Sequence, residues 1–144
     1  MFKKILVALD HSAADGLLLS QVKDLARLTR ARILLLHVST GWAAQWQRSL
    51  NLTDSPEMEE DRAYLRQVEG RLREEGFEVS ARHASGKPAE EILTAAGEEK
   101  CDLIAMATHG HRWLHDLIYG TTITRVRHAT DVPIFLVRGG RRGG

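Results

Sequence analysis

Five short apolar runs, separated by longer segments with helical spacing, constrain this chain more than any other feature it carries. The first, Ile5, Leu6, Val7, Ala8 and Leu9, is continuous rather than alternating. A strand reads that way when both its faces are covered, as in a parallel sheet sandwiched by helices. Residues 33–38, 77–84, 102–107 and 132–137 supply four further strands. The intervening segments near 12–30, 55–75, 86–99 and 123–129 read as helices, with apolar residues such as Leu18, Val22, Leu25 and Ala26 at helical spacing. Repeated βα units of this kind predict an α/β fold built on a parallel sheet.

Local signals place several boundaries. Ser12 or Asp15 is positioned to cap the first helix. Ser55 and Pro56 open the second, with Pro56 at a position where its missing amide does no harm, and Gly76 closes it. Pro133 belongs at a strand start or a sheet edge for the same lack of a donor.

A chain of 144 residues suits one domain, here 1–138, followed by the tail 139–144, which is expected to be disordered. Lys plus Arg number 20 against 19 for Asp plus Glu, a net charge of +1, so no general attraction to nucleic acid or anionic lipid is expected. The apolar runs are strand-sized, too short to span a bilayer. A single cysteine, Cys101, excludes an intrachain disulfide and fits a reducing compartment. Together these predict a cytoplasmic protein with neither nucleic acid nor membrane as partner.

The segment with the most chemistry is the loop 107–121 at the carboxyl end of the fourth strand, where open α/β sheets form ligand crevices. Gly110 permits close backbone approach. Gly120, Thr121 and Thr122 are read as standing just before the helix 123–129, whose free amides would meet an anion. Two glycine positions from separate turns thus converge on one phosphate.

This arrangement resembles the universal stress protein family. Residues 106–138 are similar to that family's C-terminal signature, Lys3 with Lys4, Ile5, Leu6, Val7, Ala8, Leu9 and Asp10 to its first strand, and Leu35, Leu36, His37 and Val38 to its second. The likeness runs over residues 2–138 and implies a five-stranded parallel open sheet, order 3-2-1-4-5, with helices on both faces: the adenine nucleotide alpha-hydrolase-like fold. ATP-binding members carry glycine, two residues, glycine, nine residues, then glycine with serine or threonine. Those positions fall here on Ala107, Gly110, and Gly120 with Thr121, and Ala107 is the one departure. By resemblance, Asp10 contacts the ribose, Val38 meets adenine through its backbone and Ala107 lies beside the ribose. Gly110, Gly120, Thr121 and Thr122 face the phosphates, with His109 in the same set. The resemblance further implies ATP, with Mg or Mn carried by the nucleotide, a stress-response regulatory role with slow hydrolysis, and a homodimer through the fifth strand.

Other readings stay open at this point. Asp10 also serves as a helix cap, and so does Thr121. Ala107 supports a relative that has lost nucleotide binding and acts by dimerisation. An enzyme is disfavoured, because Asp10 is followed by His11, Ser12, Ala13 and Ala14 rather than a Ser-Gly-Gly loop, and no Gly-x4-Gly-Lys-Ser/Thr segment occurs. No general base is aimed at the phosphates, so no catalytic residue is assigned. His109, His111 and His115, with His11, match no metal motif by spacing. His37 reads as a hydrogen-bonded core residue, and Cys101 as an unactivated thiol. Trp42 and Trp46 read as cover for a sheet edge, and Trp113, Leu114, Leu117 and Ile118 as packing of the linker between the two glycine positions.

Overall fold

A computed structural model describes residues 1–40, 56–108 and 114–138, with the backbone alone at 57 and 114–120. Five strands, β1 (Lys4–Leu9), β2 (Arg32–Ser39), β3 (Val79–Ser85), β4 (Leu103–Thr108) and β5 (Ile134–Arg138), form one parallel sheet. Their order is β3-β2-β1-β4-β5, as the resemblance implies. Among the described residues the helices are α1 (Ala14–Thr29), α2 (Pro56–Glu74), α3 (Pro88–Glu98) and α4 (Leu114–Ala129).

The strand pleat sorts the apolar residues into two layers. Ile5, Val7, Leu9, Ile33 and Leu35 face α1 and α2, joining Leu18, Val22, Leu65 and Val68. Leu6, Leu34, Leu36, Ile104 and Met106 face the other way, against Ile92, Ala95, Ile123 and Val126 of α3 and α4. This is why the runs are continuous: neither face of β1, β2 or β4 is left to water. At the amino end of the sheet, the Asp102 carboxylate accepts the amides of Lys3 and Lys4 at 2.9–3.0 Å, tying the start of β1 to that of β4.

Several boundaries stand as read: Pro56 begins α2, and Gly76, with φ +96°, stands just past its end. Two do not. The first helix has Ala13, not Ser12 or Asp15, at its N-cap: the Ser12 hydroxyl accepts the amide of Ala14, the first helical residue, at 3.2 Å, while Asp15 turns back toward the preceding loop. More consequentially, the last helix begins at Leu114, so Gly120, Thr121 and Thr122 lie inside α4 rather than ahead of it. Leu114, Leu117 and Ile118 already have the i, i+3, i+4 spacing of a helix. One interior glycine costs only about 1 kcal/mol, too little to delay the start. The readings of Trp42, Trp46, Ser55, His109, Gly110, His111, Trp113 and the tail lie outside the described residues.

Candidate functional site

In this strand order the chain moves outward from β1 through β2 to β3, then crosses to β4 on β1's other side. The gap between the carboxyl ends of β1 and β4 is therefore the topological switch point, where ligands of such sheets bind. The ladders show it opening. β1 stays paired with β2 up to Leu9 and His37, but with β4 its pairing ends at Val7 and Ala105. β1 continues to Leu9 and β4 to Thr108, so the two strands part over their last residues.

Asp10 stands at the end of β1 on this crevice, half-buried, and accepts the Ser12 hydroxyl at 2.5 Å. Ala107 stands in β4, two residues past Ala105, where the pairing with β1 ends. Ala107 is buried in the layer shared with α1, and its φ is not positive; among the described residues only His11, Arg30 and Lys100 have positive φ without being glycine. The backbone conformation therefore does not demand glycine at Ala107, whose methyl packs in that core layer. Val38, next to last in β2, lies on the α3–α4 face, half-buried and paired with Ala84. Thr122 is buried and Thr121 exposed on α4. The structure thus brings Asp10 and Ala107 to the parting of β1 and β4, and places Val38 one strand away. Thr121 and Thr122 lie within α4 rather than at its head. The anion argument from a helix N-terminus consequently does not apply at Gly120.

Sequence reasoning missed a polar network beside Asp10. Asp15, buried in α1, accepts the amide of Asp10 at 3.0 Å and that of His11 at 2.9 Å. Tyr64 of α2 donates its hydroxyl to the same carboxylate at 2.6 Å. His11, held at φ +60°, stacks on the Tyr64 ring at 4.1 Å and reaches Asp61 of α2 through Nδ1 at 2.9 Å. The other Asp61 oxygen lies 3.1 Å from His37 Nε2 and accepts the Ser39 hydroxyl at 2.8 Å.

The donors can be assigned by elimination. His37 Nδ1 sits 2.9 Å from the Leu9 carbonyl, which only accepts, so it carries a proton. Its Nε2 faces Asp61 on the other side of the ring. Ser39 gives its one proton to Asp61, so His83 Nε2, at 2.7 Å, donates to the Ser39 oxygen. His83 is held below the usual histidine value, by burial first and then by the Arg62 and His37 charges. His37 is thus the hydrogen-bonded core residue the sequence indicated.

Two carboxylates in this network are pushed in opposite directions. Burial alone would raise Asp61, but the bonds from His11 and Ser39 and the His37 charge outweigh it and hold the group below the carboxylate range. Asp15 rises to about 6, chiefly because it is buried, with the Tyr64 hydroxyl and the Asp10 amide pulling the other way. For Asp15 the folded value exceeds the unfolded one, so its contribution favours the fold in acid and is lost as pH rises from about 4 through about 6, roughly 3 kcal/mol in all. Carbon-detected titration of the Asp15 carboxyl is expected to show a midpoint near 6. In Tyr64→Phe that midpoint moves upward, since the lost hydroxyl favours the ionised form; an unchanged midpoint would refute the assignment.

Among the described residues no group of three or more His, Cys, Asp or Glu is arranged to hold a metal ion, and no helix is long and apolar enough to cross a membrane. Burial pushes the Cys101 thiol up to about 11, as expected for an unactivated cysteine.

The model of the universal stress protein family matches residues 1–138. The chain belongs to the universal stress protein family. A curated universal stress protein from Thermus aquaticus is 32% identical, covering 96% of this chain and 100% of its own length. Among solved structures, MJ0577 of Methanocaldococcus jannaschii is 27% identical with a TM-score of 0.79, covering 100% of this chain and 99% of that one. Two more distant universal stress proteins share the fold. One from Archaeoglobus fulgidus, in complex with dAMP, is 18% identical (TM-score 0.68, covering 94% and 97% of the two chains). The other, in complex with cAMP, is 17% identical (TM-score 0.70, 95% and 97%).

Proposed function

We propose that this universal stress protein binds an adenine nucleotide, ATP with Mg or Mn, in the crevice between β1 and β4 and acts as a stress-response regulator with little or slow hydrolysis. The observation that carries the reading is the early end of the β1–β4 ladder, beside a half-buried carboxylate at Asp10. A carboxylate there is suited to accept both ribose hydroxyls, and Val38 offers backbone atoms to the base. Ala107 lies beside the ribose, its methyl turned into the core. His109, Gly110, Gly120, Thr121 and Thr122 make up the phosphate side, with the metal held mainly by phosphate oxygens and water. The nucleotide supplies the signal; the chain's residues bind and orient it. The complexes of related folds with dAMP and cAMP support the ligand class. We place the protein in the cytoplasm.

Calorimetry with Mg-ATP on the native chain and on Ala107→Gly tests this. Binding is expected in both, within threefold of each other, with the glycine variant less stable by about 0.5–1 kcal/mol from added chain entropy. Heat of binding in neither would overturn the reading. Binding in the glycine variant alone would favour a second one, an interaction protein that has lost its nucleotide. That alternative draws on β5, a sheet edge whose Leu136 is 45% exposed. An apolar edge invites pairing with a second copy, so a homodimer through β5 is part of either reading. A monomer at micromolar concentration by light scattering would remove it.

A further inference from the structure

The loop that carries Asp10 does not hold its shape by itself. His11 adopts a left-handed conformation unusual for a residue with a side chain; the Ser12 hydroxyl meets the Asp10 carboxylate from within the loop, but the His11 amide and ring are held by Asp15 and Asp61 from the helices beyond it. Asp15 gives its two oxygens to the amides of Asp10 and His11, and Tyr64 grips that carboxylate from α2. Asp61, one helical turn before Tyr64, grips the His11 ring on which Tyr64 is stacked. Two neighbouring side chains of one helix therefore hold the main chain of Asp10 and the ring of the residue after it.

We infer that Tyr64 and Asp61 are positioning residues for the ligand site: α2 clasps the β1–α1 loop and so sets the aim of the Asp10 carboxylate at a ligand's sugar hydroxyls. This rests on the reading of Asp10 as a ribose contact. It adds that the grip on the sugar is governed by a helix some fifty residues away in sequence. Displacing α2 loosens the sugar contact first and leaves base and phosphate contacts, which come from β2 and the β4–α4 side, nearly as they were.

The test pairs a ligand-free measurement with a specificity measurement, on the full chain and its Tyr64→Phe and Asp61→Asn variants. Both substitutions keep side-chain size, and Tyr64→Phe keeps the ring under His11. In hydrogen exchange, the amides of Asp10 and His11 are expected to exchange at least about tenfold faster in Tyr64→Phe, with those of Ile33 and Leu35 in β2 unchanged. In calorimetry, the native chain is expected to prefer ATP over 2′,3′-dideoxy-ATP by about tenfold or more. Both variants should lower that preference to under about threefold, chiefly by weakening ATP. A merely structural loss would weaken both nucleotides alike and leave the preference intact, which would overturn the proposal, as would unchanged exchange. A native chain that binds both nucleotides equally, or neither, shows before any variant is made that the ribose reading of Asp10 is wrong, and the proposal falls with it.

Discussion

Asp61→Ala is expected to lower the unfolding free energy at neutral pH by about 3 kcal/mol, and the melting temperature by roughly 10 °C. An exposed ion pair would be worth under about 1 kcal/mol. This one is not exposed: the Asp61 side chain is 20% accessible and its partner His37 only 7%. Removing the carboxylate strands a buried imidazole at His37 Nε2, takes the acceptor from the Ser39 hydroxyl and frees the His11 ring. Each stranded donor bears a desolvation cost that nothing then offsets. The pH dependence has a definite sign. The folded value of Asp61 lies below its unfolded one, so its stabilisation is present above about pH 4 and disappears as pH falls through the lowered value. The native chain should therefore lose stability in acid faster than the variant does. Urea denaturation across pH measures both quantities. A loss below 1 kcal/mol would mean that the network is a solvated contact rather than a structural joint.

Asp10→Ala is expected to weaken Mg-ATP binding by about 30- to 150-fold, or roughly 2–3 kcal/mol. Two hydrogen bonds from ribose hydroxyls to an ionised acceptor account for that size, since bonds to charged groups contribute about 1.5–3 kcal/mol each and part is recovered by water. The substitution should disturb the fold little, because the Asp10 backbone amide, which Asp15 accepts, is retained. The Ser12 hydroxyl loses its carboxylate partner but still accepts the Ala14 amide at 3.2 Å. Titration calorimetry with a parallel thermal melt separates affinity from stability. Affinity within threefold of the native chain would make Asp10 a loop-former alone.

The sheet was legible in the sequence because its signals are local. Ile5 through Leu9 is continuous where burial is two-sided, and Pro56 and Gly76 mark α2 by backbone chemistry that needs no tertiary partner. The strand order came from the family likeness, not from the residues themselves, since periodicity cannot say which strand lies beside β1. The start of α4 was misplaced because Gly120 and the threonines outweighed the spacing of Leu114, Leu117 and Ile118, although a single glycine is a weak helix breaker. The clasp around Asp10 was invisible for a different reason. Its partners are 24, 49 and 50 residues apart, at His37 with Asp61, Asp15 with Tyr64 and His11 with Asp61, and only the docking of α2 brings them together. Two hints stood in the sequence: a histidine inside the apolar run of β2, and Asp61 and Tyr64 three apart on one helix face. Both needed the fold before they meant anything.

The Asp102 carboxylate and the short β1–β4 ladder together make this seam of the sheet a wedge rather than a uniform plate. One end is pinned through the Lys3 and Lys4 amides, and the other parts after Val7 and Ala105. Under the proposed reading, a guest entering at the wide end would press on side chains and loops instead of prising apart an established ladder. The mouth can therefore be reshaped by substitutions in the loops that flank it, while the strands behind it keep their register.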